Sequence, residues 1–175
     1  MSSVLVAAVL VGFVTSISLL FIQIEKRKNR KHMNQFLTRF SELGALNNLT
    51  FSSQEILEDA AIGLDGVHRK LLILNGSNET TASNKLLYLN EIKTCTVKKQ
   101  YGTIGALGLK NNKLEQYLEK LSLCFDMKNG QEPAEVAFFH HDTGNIYQLK
   151  ELEEKAKHWE IMLSKMLKSP LKDAA

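Results

Sequence analysis

His140-His141-Asp142 places two imidazoles and a carboxylate side by side, the donor types of a metal site. Successive side chains on a strand point to opposite faces, so the two rings do not converge on one ion. The run reads instead as a strand end entering the polar turn Asp142-Thr143-Gly144. Gly102, Gly105 and Gly108 recur at intervals of three. A phosphate-cradling loop needs another spacing and a following Gly-Lys-Ser/Thr to hold phosphate and magnesium, and this segment has neither. It reads as a flexible loop. Cys95 and Cys124 are the thiols of the chain. A nucleophilic cysteine needs a neighbouring histidine and a depressed pKa. Both sit in apolar, strand-like runs, which predicts core positions. His68 and Glu79 belong to no pattern. The residues therefore predict no catalytic group, no metal ligand set and no bound cofactor.

The elements around these residues begin with a long apolar run. Val4 to Ile24 spans 21 residues, of which 16 are apolar, and the first ionisable side chain is Glu25. As a helix the run is about 31 Å long at ~1.5 Å per residue, enough to cross a hydrocarbon core of about 30 Å. Lys26, Arg27, Lys28, Arg30 and Lys31 follow at once, with no Lys or Arg before the span. Positive charge resists transfer, so the flank predicts a short outer N-terminus and a cytoplasmic domain on the inner membrane. A cleavable signal peptide fits less well: it needs a basic leading segment, a shorter apolar core and a small-x-small cleavage site.

Charge follows the same division. The chain carries +3 overall, while residues 25–32 alone carry +4 and residues 33–175 carry −1. The basic balance is thus a membrane-flank property that can touch anionic headgroups. No nucleic-acid-binding surface is expected. Reduced, buried cysteines suit a cytoplasmic domain. The acceptor triplets at Asn48, Asn75 and Asn78 have no meaning on that side of the membrane.

Past the flank, Met33, Phe36, Leu37, Phe40 and Leu43 form the face of a helix that runs until Gly44. That face can pack on its own domain, pair as a short coiled coil or lie on the membrane. Asn47-Asn48 predicts a break, and Ser52 with Glu55 predicts a capping box and one helical turn. Ala60–Leu64, the turn Asp65-Gly66 and Arg69–Leu74 predict a hairpin. Asn75 to Thr81 reads as a loop. Lys85–Leu89, Ile92–Lys98, Leu118–Met127 and Ala134–Phe139 read as further strands, and Asn129-Gly130 as a turn. Leu149, Leu152, Ala156, Trp159, Leu163 and Met166 are spaced 3, 4, 3, 4, 3, which predicts a core-packing helix over 146–167 with Pro170 beyond its end.

Six or seven short strands, early hairpins and a final amphipathic helix bearing Trp159 resemble a pleckstrin-homology-type half-open barrel. The resemblance covers roughly Glu58 to Leu167. It implies that the last helix plugs the barrel and that Trp159 packs into the core. The runs Ile62 to Leu72 and Lys150 to Glu160 also resemble single-span bacterial membrane proteins of the Bacteroidetes. Phosphoinositide binders of the barrel family use a basic cluster in the first hairpin loop. The hairpin at Asp65-Gly66 offers His68, Arg69 and Lys70 beside Asp65, which does not support such recognition.

The expected architecture is α+β: a transmembrane anchor (1–24), a basic segment and amphipathic helix (25–46), a β-rich domain capped by a helix (47–168) and a tail (169–175). The expected role is a membrane-tethered scaffold or adaptor module without catalysis, whose partners are the bilayer and either another protein or a second copy. The alternative is a domain that binds lipid or a small apolar ligand. Leu71–Leu74 and Leu86–Leu89, apolar runs close to a membrane, motivate it.

Overall fold

Residues 31–46 form helix α1, with Phe36 and Phe40 buried and Leu37 and Leu46 exposed. The helix ends at the predicted break. Asn48 takes a φ of 52°, a left-handed conformation that asparagine tolerates better than most residues. The Leu49 N–H returns to the Gly44 carbonyl at 2.9 Å. This is a computed structural model, and it describes residues 31–76, 83–103, 116–128 and 130–168. The expected span, Lys26, Arg27, Lys28 and Arg30, residues 104–115, Glu79 and the tail lie outside the described residues. Lys31 is the first of them and is exposed. Among them no helix is long and apolar enough to cross a membrane. The chain divides into two compact units, Met1–Glu42 and Leu43–Ala175.

Two antiparallel sheets build the second unit. The first has the order β1 (Ser53–Ile56), β2 (Ala60–Asp65), β3 (Lys70–Asn75), β4 (Ser83–Tyr88). The second has the order β5 (Ile92–Thr103), β6 (Gln116–Met127), β7 (Ala134–His140). A 3-10 turn at Ile146–Gln148 leads into helix α2 (Leu149–Lys168). The molecule is α+β.

One local expectation fails. Ser52 and Glu55 form no capping box, because Ser53–Ile56 is strand β1, with Ser53 opposite Leu64 and Ile56 opposite Ala61. The Ser52 hydroxyl donates to the Leu64 carbonyl at 3.0 Å and accepts from the Gly66 amide at 3.2 Å. Pairing with β2 satisfies the backbone that a helical turn would otherwise have to satisfy. β5 and β6 also run further than their apolar pattern, to Thr103 and back to Gln116.

The core lies between the sheets and α2. Leu121, Leu123 and Phe125 of β6 are fully buried, as their alternation requires. They join Ile62, Leu64, Leu71, Ile73, Leu87, Val136, Ala156, Trp159 and Leu163 in one cluster. Leu149 and Leu152 pack against it while partly exposed. α2 is fastened along β5: Glu160 accepts the Val97 amide at 3.1 Å, and Glu153 pairs with Lys99 at 2.8 Å. At its far end the Arg69 guanidinium donates to the Met166 carbonyl at 2.8 Å, satisfying one of the carbonyls a helix C-terminus leaves open.

Candidate functional site

Leu57-Glu58-Asp59 joins β1 to β2, so the first hairpin of the domain turns on two carboxylates. Leu57 is drawn inward and buried, which leaves Glu58 exposed. The turn is fixed at both sides: the Leu57 amide bonds to Ala60 at 2.8 Å, and the Asp59 carbonyl accepts from Gly76 at 2.7 Å. Opposite it, β7 ends at His140, whose carbonyl accepts the amides of Thr143 at 3.3 Å and Gly144 at 2.7 Å. A Cβ at Gly144 would lie 2.7 Å from that carbonyl oxygen and from the Phe139 ring. Only glycine lets the turn close this tightly. Asn145 then accepts the Tyr147 amide at 3.0 Å and starts the helical segment.

Between these pieces lies a cavity of about 190 Å³. Ile56, Leu57, Phe138 and Leu152 supply its apolar surface, and Glu58, Asp59, His140, Gln148, Glu151 and Lys155 its polar groups. The Lys155 ammonium is engaged by Glu151 at 2.9 Å and by Glu55 at 3.1 Å. These hydrogen bonds, Glu151 first, hold its pKa above the ordinary lysine value. Glu58 makes no ion pair among the described residues. Partial burial, and then the neighbouring Asp59 carboxylate, push its pKa up.

At β2–β3 the basic residues are committed elsewhere. Asp65 is fully buried. It accepts the Thr50 amide at 2.9 Å, the His68 amide at 2.9 Å and the His68 ring at 2.8 Å. Burial alone would raise the carboxyl, but the His68 and Thr50 amides and the His68 ring together hold it well below the usual carboxylate range. Arg69 holds the end of α2, and the Lys70 ammonium lies 5.7 Å from the Tyr88 ring centroid.

The other sequence-singled residues do not come together. His140 and Asp142 approach to 3.7 Å, whereas the His141 ring lies against Tyr117, with centroids 4.6 Å apart. No group of three His, Cys, Asp or Glu residues gathers as a metal set among the described residues. Cys95 and Cys124 are buried. Burial, with Glu160 and Cys124 adding, pushes the Cys95 thiol up to about 12. Trp159, Leu163 and Phe125 belong to the buried cluster between the sheets and α2. The sequence pattern does not announce the hairpin formed by Ile56 and Ala60 to Ile62 around the acidic turn. The short polar break between two apolar runs was the available signal.

Comparison with protein-family models, with curated proteins and with solved structures finds no match to this chain.

Proposed function

We propose that the chain is a single-span bacterial membrane protein whose cytoplasmic domain is a non-enzymatic interaction module of pleckstrin-homology-like, half-open barrel form. Four strands, then three, then a helix carrying the buried Trp159 support the barrel reading. The uncharged run Val4–Ile24 and its basic flank support the tether. The first hairpin turns on Glu58 and Asp59, where phosphoinositide binders of that form carry basic residues, so a protein partner is favoured over an inositol headgroup.

The observation that carries the protein-binding reading is the edge strand β4. Among the described residues, its main chain pairs with β3 and otherwise only closes the turn to β5, through the Glu91 amide on Tyr88 at 3.0 Å. The β5 edge, by contrast, is covered by α2 through Glu160, and Asn75 reaches the Glu135 carbonyl of β7 at 3.0 Å. An exposed edge accepts an extended segment as an added strand, and Lys85 within β4 discourages indiscriminate pairing. Tethering raises the local concentration of the domain toward partners at the same membrane. Affinity capture from crosslinked membranes, with the full chain and with a chain lacking residues 1–24, tests the proposal. A specific protein recovered with the tethered form and depleted without the tether is expected. No specific protein with either form would contradict it.

A further inference from the structure

Resting on the reading of the chain as membrane-tethered, we infer that one end of the β-rich domain, formed by the β2–β3 loop and the last turns of α2, rests on the anionic phospholipid surface of that membrane, with Val67 as the apolar tip that enters it. This end is one connected piece. The Arg69 guanidinium donates to the Met166 carbonyl at 2.8 Å, and the Arg69 carbonyl accepts the Leu89 amide at 2.9 Å. The Lys128 amide in turn donates to the Glu91 carbonyl at 2.8 Å. These bonds gather the β2–β3 loop, the end of α2, the β4–β5 turn and the end of β6.

Charge is the first argument for the occupant. Residues 65–70, 89–94, 126–133 and 165–168 hold six Lys or Arg against four Asp or Glu, and one of the four, Asp65, is buried. At the opposite end, residues 55–59 and 141–151 hold five Asp or Glu against one Lys. An anionic surface attracts the first end and repels the second. The sequence of α2 builds this polarity. Its four Glu all precede Ile161. Lys155 and Lys157 are therefore paired within the helix, at 2.9 and 2.7 Å. Lys165 and Lys168 are exposed and make no ion pair among the described residues. Lysines at a helix C-terminus also suit the helix dipole, so charge alone does not select a bilayer.

Two further observations do. Val67 is 81% exposed in the β2–β3 loop, where turns ordinarily carry Gly, Asn, Asp or Ser. A lone exposed valine is unremarkable elsewhere. Here it is followed directly by His68, Arg69 and Lys70, and an apolar tip beside basic side chains suits the boundary between headgroups and acyl chains. The chain also enters the domain at this end. Thr50, just after α1, donates its amide to Asp65 at 2.9 Å, and the Ser52 amide donates to the Leu64 carbonyl at 2.8 Å. The covalent path from the proposed span thus reaches the domain at its basic end and not at its acidic one. An acidic protein would answer the charge but not this point of entry.

The test uses the full chain in nanodiscs, with isotope-labelled Val and Ile methyl groups followed by NMR and a nitroxide carried on carbon 5 of a lipid chain. Ile146, 60% exposed, is the control, because α2 separates it from Val67 by about 30 Å. In discs of phosphatidylcholine with about a third phosphatidylglycerol, the nitroxide should broaden Val67 at least threefold more than Ile146. In pure phosphatidylcholine that excess should fall by half or more. Lys165→Gln with Lys168→Gln should produce the same fall in the mixed discs while the Val136 signal stays in place. Equal broadening of Val67 and Ile146, an excess independent of phosphatidylglycerol, or indifference to the double substitution would each overturn the inference. The valines at positions 4, 6, 9, 11 and 14 report on the tether. If they broaden and Val67 does not, the inference alone falls and the basic end is left to an acidic protein. If they do not broaden in any disc, the tether reading falls and the inference with it.

Discussion

Asp65 shows how one buried carboxylate can hold three pieces of chain. It fixes Thr50, just after α1, to the β2–β3 loop, and it orients His68 within that loop. Burying a charge is costly unless donors surround it, and here the donors outweigh the burial. A carboxyl with a lowered folded pKa contributes stability in full above its unfolded value, about 3.9. That contribution is lost as pH falls toward the folded value. Asp65→Asn should therefore cost about 1–3 kcal/mol near pH 7, because an amide cannot accept from every donor present. In urea titrations the gap between parent and variant should narrow steadily below about pH 4. A gap independent of pH would mean that the Asp65 charge does not stabilise the fold.

At the scale of elements, the best-read pieces were those whose signals are local. Asp65-Gly66 marked the β2–β3 loop, and the 3-4 spacing through Trp159 marked α2. β1 departs from its sequence signal because Ser52-x-x-Glu55 is a local helix pattern, whereas the register that makes it a strand lies across β2. Lys99 and Gln100 hide the continuation of β5 beyond Lys98, since polar residues on an open face carry no alternation that reveals a strand. The cavity was not legible at all: its walls come from residues 56–59, 137–144 and 148–155, which only folding brings together. α2 itself is pinned by its apolar face more than by its ion pairs, which are partly exposed and worth little each. Trp159 is 3% exposed and Ala156 and Leu163 lie beside it on the same stripe. Trp159→Ala, in a chain beginning at Met33, should cost about 3–5 kcal/mol by chemical denaturation. A loss under about 1 kcal/mol would show that the ring does not fill the core.

For the whole molecule, the proposal links a basic flank, a tethered domain and a strand edge. The flank predicts that the C-terminus lies in the cytoplasm. A reporter joined after Ala175 should be active there, and activity confined to the outer side would reverse the topology. The more direct measurement concerns β4. A photoreactive amino acid placed at Lys85, on that edge, should capture one discrete protein in intact membranes, either a partner or a second copy at twice the chain mass. The same group at Lys157, on the exposed side of α2, should not capture it. If Lys85 gives no adduct, or if both positions give the same adducts, β4 is not a recognition edge and the interaction-module account fails.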